Sequence, residues 1–195
     1  KRASELNSRS EKVYMGGITD LVRQKWLPGI AQASEKPTDD LRSWIHEGQY
    51  YPTSYISSQD SFIINISDWD SLVDVFAYES NRMATSSIET LANIPGVTFS
   101  KKSIAWACIQ TYYAAFYSAH ALLRFCGESI TQIDGTGIAQ VRQLFLNYGI
   151  PNHSKITSGY YTVKVDPVVE TITFKKIKKK YGSHEVIWIH LLQFF

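Results

Sequence analysis

This chain predicts a mainly α-helical fold, a helical bundle with a small β-hairpin insertion, and three observations carry the prediction. From Ile104 to Cys126 only Gln110, Thr111, Ser118, His120 and Arg124 are neither apolar nor aromatic. A run of that kind fits the buried central helix of a bundle. Ahead of it, Val73, Ala77, Ala84, Ile88 and Leu91 recur at helical spacing. The break Ile94-Pro95-Gly96 separates the two segments, so they read as an antiparallel pair. Behind it, residues 160–177 change to alternation, the pattern of a hairpin.

The elements follow in order. A first helix is predicted from about Ser10 to Lys25, interrupted at Gly16-Gly17 and ended by Trp26-Leu27-Pro28-Gly29. A short helix follows, with Thr38 as N-cap, Asp39 and Asp40 in its first turn and Gly48 past its end. Residues 49–60 are polar and turn-like. Ser61 to Ile66 reads as a short strand. Ser67 with Asp70 approximates a capping box for a helix from Asp68 to about Asn93. The apolar helix occupies 101–126 and stops at Gly127. Another helix fits 136–148, with Ile138, Val141, Leu144, Phe145 and Tyr148 on one side and Gly149 as C-cap. In the hairpin, Tyr161, Val163 and Val165 alternate with polar residues, Asp166-Pro167 turns, and Val169 to Ile177 alternates again. A last helix begins at Ser183.

At 195 residues the chain suits one helical domain, with 1–60 as an N-terminal extension and 160–180 as a basic arm. It opens at Lys1 without Met and ends on the apolar HLLQFF, the pattern of a fragment. A net charge of +2 is too mild to mark a nucleic-acid binder by itself. Cys108 and Cys126 on one helix lie roughly 27 Å apart at 1.5 Å per residue. A disulfide needs Cα atoms within about 7 Å. A reduced, cytoplasmic compartment is therefore expected. A membrane span is the alternative for the apolar helix, with Lys101 and Lys102 flanking one end. His120 and Arg124 inside the run oppose it, because an intramembrane charge is costly.

Four constellations are candidates for chemistry. On the long helix, Tyr113, Tyr117, His120 and Arg124 fall on one stripe with Trp106. His120 would act as acid/base and Arg124 as phosphate clamp; the same residues also fit packing between helices. Arg42 and His46 lie four apart on one helical face, where one could hold a phosphate and the other move a proton; a solvated face fits equally. Lys175, Lys176, Lys178, Lys179 and Lys180 could contact phosphates, or guard a strand edge. His184-Glu185 and His190 lack the spacing of a zinc-binding helix, so no metal is expected. Phosphate-binding and dinucleotide glycine motifs are absent, so no cofactor is expected.

The string from Ala105 to Gly127, with its core YYAAFYSAHALL, resembles the signature helix of HEPN-domain proteins. SHEVIWIHLLQFF resembles a later bundle helix of that family. The resemblance implies an all-helical, frequently dimeric protein of prokaryotic toxin–antitoxin or antiviral defence systems. Many members are metal-independent ribonucleases whose site is an Arg and a His separated by four to six residues. This sequence departs from that motif. Arg42 and His46 are separated by three, away from the signature helix, and Lys180 to His184 has Lys in place of Arg.

The expected function is therefore an interaction subunit or domain of a defence or toxin-type assembly, working through a protein partner or a second copy. Two alternatives stand beside it. One is a non-standard ribonuclease using His120, Arg124, His184, Arg42 or His46. The other is an accessory subunit touching DNA or RNA through the lysine run.

Overall fold

The computed structural model describes residues 20, 22–33, 40–53, 61–94, 104–178 and 182–195. Among them the chain forms, in order, α1 (Leu41–Glu47), β1 (Tyr50–Pro52), β2 (Ser61–Ile66), α2 (Trp69–Ala92), α3 (Ile104–Phe125), β3 (Glu128–Ile133), α4 (Gly135–Asn147), β4 (Gly159–Asp166), β5 (Thr171–Lys176) and α5 (Ser183–Phe194). Short 3-10 turns lie at Ile30–Gln32 and His153–Lys155.

The strands make one antiparallel sheet in the order β1-β2-β5-β4-β3. This corrects the predicted mainly α bundle with a hairpin insertion: the architecture is mixed α/β, built on a five-stranded sheet. The predicted hairpin is real, but β4 and β5 occupy the middle of the sheet. The missed strands have physical reasons. β1 has three residues and ends on Pro52. β3 is covered on both faces, so it shows no clean alternation of buried and exposed residues.

Local chemistry sets the helix starts. Asp40, Asp68 and Asp134 each accept a backbone N–H three residues on, from Ser43 at 2.9 Å, Ser71 at 3.1 Å and Gly137 at 2.8 Å. The caps of α1 and α2 thus fall on aspartates rather than on Thr38 or Ser67. Thr38, most of the predicted first helix and the Pro95-Gly96 break lie outside the described residues.

One face of the sheet carries the main core. Phe62 stacks on its cross-strand partner Phe174 at 4.6 Å and meets Tyr161 and Phe145 edge-on. Leu41, Trp44 and Ile45 of α1, Val141 and Phe145 of α4, and Leu72 to Phe76 of α2 close over them. The segment 40–53 therefore belongs to the core rather than to an extension. On the opposite face, Ile130 of β3 packs under Val186 and Ile187 of α5 with Ala119 and Leu123 of α3.

The α2–α3 hairpin connects β2 to β3 at the far side of the sheet. At about 1.5 Å per residue, α2 is roughly 36 Å long, against about 20 Å for a six-residue strand. Its first turns enter the core, and its far end stands beyond it. Ile88 and Leu91, predicted on the apolar stripe, are 67% and 50% exposed. The predicted buried spine is also only half buried: Ala114, Ala119, Ala121, Leu123 and Arg124 are covered, while Ile104, Trp106 and Ile109 face solvent.

Truncating the central ring tests this core. Phe62→Ala is expected to lower unfolding stability by about 3–5 kcal/mol. Urea titration should show a lower midpoint with an unchanged slope. A loss under about 1 kcal/mol would contradict the central place of Phe62.

Candidate functional site

The seam between α2 and α3 is made of small residues, and it holds a buried polar cluster. Ser80 donates to the Ala121 carbonyl at 2.9 Å, and Ser87 donates to the Ala114 carbonyl at 2.8 Å. Ser87 also meets the Ser118 hydroxyl at 2.8 Å. At the sheet end of this row Arg124 reaches across the seam and donates from Nε to Glu79 Oε2 at 2.8 Å. Both side chains are nearly dry, at 5% and 7% exposed.

Arg124 also binds back to its own helix. Its Nη1 donates to His120 Nδ1 at 2.9 Å and approaches the His120 carbonyl at 3.3 Å. A guanidinium only donates, so Nδ1 must present a lone pair and the imidazole proton sits on Nε2. Burial, then the Arg124 cation and His184, push the His120 imidazole down to about 3. His120 is neutral at pH 7 and resists protonation, which suits a hydrogen-bond acceptor better than an acid catalyst.

His184 sits above this cluster at the start of α5. Its ring stacks on Phe116 at 4.5 Å, and Nδ1 lies 3.0 Å from the Tyr112 hydroxyl. Trp188 Nε1 donates to the same hydroxyl at 3.4 Å. The Tyr112 oxygen therefore accepts from Trp188 while its hydroxyl also pairs with His184 Nδ1. These contacts fasten α5 to α3.

The predicted stripe thus changes character along its length. Arg124 and His120 are committed to the seam, whereas Tyr113 and Trp106 stand in solvent at the far end. Trp106, Ile109, Tyr113 and Tyr117 line a groove of about 390 Å³ with Glu89 and Asn93 of α2.

Arg42 and His46 meet a third group. His46 Nε2 lies 3.6 Å from Asp134 Oδ1, at the N-cap of α4. The Gly137 backbone N–H, opposed by desolvation and helped by His46 and Arg42, holds the Asp134 carboxyl below its usual range. This is a surface cluster of Arg, His and carboxylate.

β5 lies between β2 and β4, so Lys175 and Lys176 guard no sheet edge. Lys175 is exposed, on the face opposite Phe174, whereas Lys176 lies on the other side of the pleat and binds the Thr157 hydroxyl. Lys178 is exposed beyond the strand, and Lys179 and Lys180 lie outside the described residues.

Among the described residues, no group of three His, Cys, Asp or Glu side chains is placed to hold a metal ion. No described helix is long and apolar enough to cross a membrane. Cys108 is exposed and Cys126 buried, both as free thiols.

Sequence reasoning missed Glu79 and Asp134. The available signal for Glu79 was a carboxylate three residues after Phe76 and seven after Leu72, inside the apolar face of α2. Asp134 was legible only as a helix cap. Compared with protein-family models, with curated proteins and with solved structures, the chain matches none. The class defined here is a mixed α/β protein with a projecting helical hairpin.

Two measurements test this geometry. Arg124→Met leaves Glu79 buried and unpaired and should cost about 3–5 kcal/mol; Glu79→Leu with Arg124→Met should recover most of it. Additive losses in equilibrium unfolding would refute the coupling. The second is pH dependence. The folded value of His120 lies below its unfolded value, so its contribution is full above about 6.5 and is lost as pH falls toward about 3. His120→Gln should flatten the stability profile between about pH 6.5 and 5.5, above the ordinary carboxylate values of about 4. An unchanged slope there would contradict a neutral, buried His120.

Proposed function

We propose that this chain is a protein-interaction module whose contact surface is the far half of the α2–α3 hairpin. The observation that carries the reading is the cluster of exposed apolar side chains at that end. Ile104 is 82% exposed, and Leu91, Trp106, Ile109, Tyr112 and Tyr113 are each at least 40% exposed. Scattered exposed apolar residues are ordinary, but a cluster with aromatic members on one projecting element is the composition of an interface core. The seam behind it is tied by the Ser87 hydrogen bonds to Ala114 and Ser118. The likeness of α3 to the HEPN signature helix supports placing such a contact in a defence or toxin-type assembly, with a second copy or another protein as partner.

A second reading has an observation of its own. Arg42, His46 and Asp134 converge at the surface, and there an Arg could hold a phosphate while His46 transfers a proton. This is where a ribonuclease reading fits the geometry better than at His120 and Arg124.

Light scattering with size separation tests the first reading. The wild-type chain should show a mass above 22.2 kDa at high concentration. Ile88→Ser with Trp106→Ser and Tyr113→Ser should return it to a monomer with the same melting temperature. A wild-type monomer at roughly 100 µM would overturn self-association through this face. Incubation with total RNA without metal tests the second: cleavage should occur and be lost in His46→Ala, and no cleavage removes it.

A further inference from the structure

At the other end of α3, away from the proposed contact face, a cleft of about 580 Å³ opens between α5, the start of β3 and the end of β4. Its apolar walls are Trp26, Leu27, Val165 and Phe194. Its interior carries a carboxylate: the Glu128 side chain is 9% exposed. Oε1 of Glu128 takes Lys164 Nζ at 3.0 Å, and Oε2 faces His190 Nε2 at 2.9 Å. That imidazole nitrogen is buried and meets the carboxylate off the axis of a straight hydrogen bond. An acceptor is its near neighbour, so Nε2 carries the proton. Burial alone would raise the Glu128 carboxyl, but His190 and Lys164 outweigh it and hold it below the usual range.

The hydrogen-bonding inventory of the cleft is then one-sided. The carboxylate has both oxygens engaged. Lys164 is 71% exposed and spends one of its three N–H groups on Glu128. Lys25 donates to the Phe194 carbonyl and lies 4.2 Å above the Phe194 ring, with further N–H groups to spare. Gln24 and Gln193 line the same cleft. What remains unspent is mainly donors and positive charge beside an apolar wall. Covalent chemistry does not fit: burial, then Glu128, push the Cys126 thiol up to about 11, with Lys25 offsetting only part.

We propose that this cleft binds a small organic oxyanion, a carboxylate or phosphate head on an apolar body. Lys164 and Lys25 hold the head, and Trp26, Leu27 and Phe194 cover the body. The volume falls within the roughly 300–1,000 Å³ of small-molecule sites. Glu128 competes for Lys164, which keeps the empty cleft from carrying uncompensated charge.

Titration of the ¹⁵N-labelled chain with phenyl phosphate, benzoate and phenol tests this. Saturable shifts at Lys164, Val165, His190 and Gln193 are expected with one or both anions and not with phenol. Phosphate alone, or benzoate alone, identifies the head. Lys25→Met with Lys164→Met, both at exposed positions, should weaken binding by roughly tenfold without changing the melting curve. Glu128→Gln, in a sample whose melting curve shows it folded, should tighten binding by releasing Lys164, an effect no purely structural carboxylate produces. Absence of saturable binding by either anion, equal response to phenol, or full binding by the double lysine variant would overturn the proposal.

Discussion

The ion pair between Arg124 and Glu79 sets the register of the α2–α3 hairpin, and much of the remaining structure inherits that register. Both groups are taken almost wholly out of water. Desolvation of each charge costs several kcal/mol, so neither tolerates separation from the other. A slide of one helix along the other by a single turn, about 5.4 Å, would bury two unpaired charges. The small residues of the seam allow close approach but are nearly interchangeable as shapes. Ser80 and Ser87 add hydrogen bonds to Ala121 and Ala114, the first next to the pair and the second more than two turns farther along the seam. Packing brings the helices together, and the charges choose one alignment among several that packing would accept.

That alignment places the lower end of α3 where the chain must turn into the sheet. Gly127 makes the turn with φ +74, and a Cβ there would come within 2.9 Å of Leu27 Cδ1. The Leu27 N–H donates to the Phe125 carbonyl, so the turn is held from outside the helix as well. β3 can then pair with β4 from Glu128 onward. α5 completes the arrangement by covering the outer face of β3 and bringing His190 to Glu128. The small second core has aromatic contacts above it and an ion pair below it.

The limits of reading this fold from sequence are equally specific. The presence of α2, the C-terminal end of α3 at Gly127, the hairpin turn at Asp166 and the helix predicted over 136–148 were legible, because periodicity and breakers are local signals. The face of α3 was not. Its apolar residues lie on every side, so periodicity carries no direction, and richness in apolar residues was read as burial. The sheet was not legible either, since β2 and β5 are distant in sequence and meet only through the fold. For the site residues, helical spacing correctly put His120 near Arg124. It could not supply Glu79, whose position across the seam turns Arg124 from an exposed cation into a dry structural one.

This commitment of polar groups bears on where function can reside. A catalytic Arg must be free to change partners as charge develops on a substrate. Arg124 already serves a buried carboxylate and an imidazole that burial keeps neutral. Recruiting it would strand Glu79 in a dry seam, a cost comparable to the whole stability of many domains. Free energy that the fold leaves unspent lies elsewhere. At the far end of α3 it is apolar, as Trp106, Tyr113 and their neighbours remain in water. At the near end it is electrostatic, as Lys25 and Lys164 keep donors facing the cleft. The same helix connects the two ends, and the buried charge in its last turn is already satisfied by Glu79 and His120. A ligand or partner at either end therefore meets a preformed surface, and binding there need not disturb the ion pair on which the register depends.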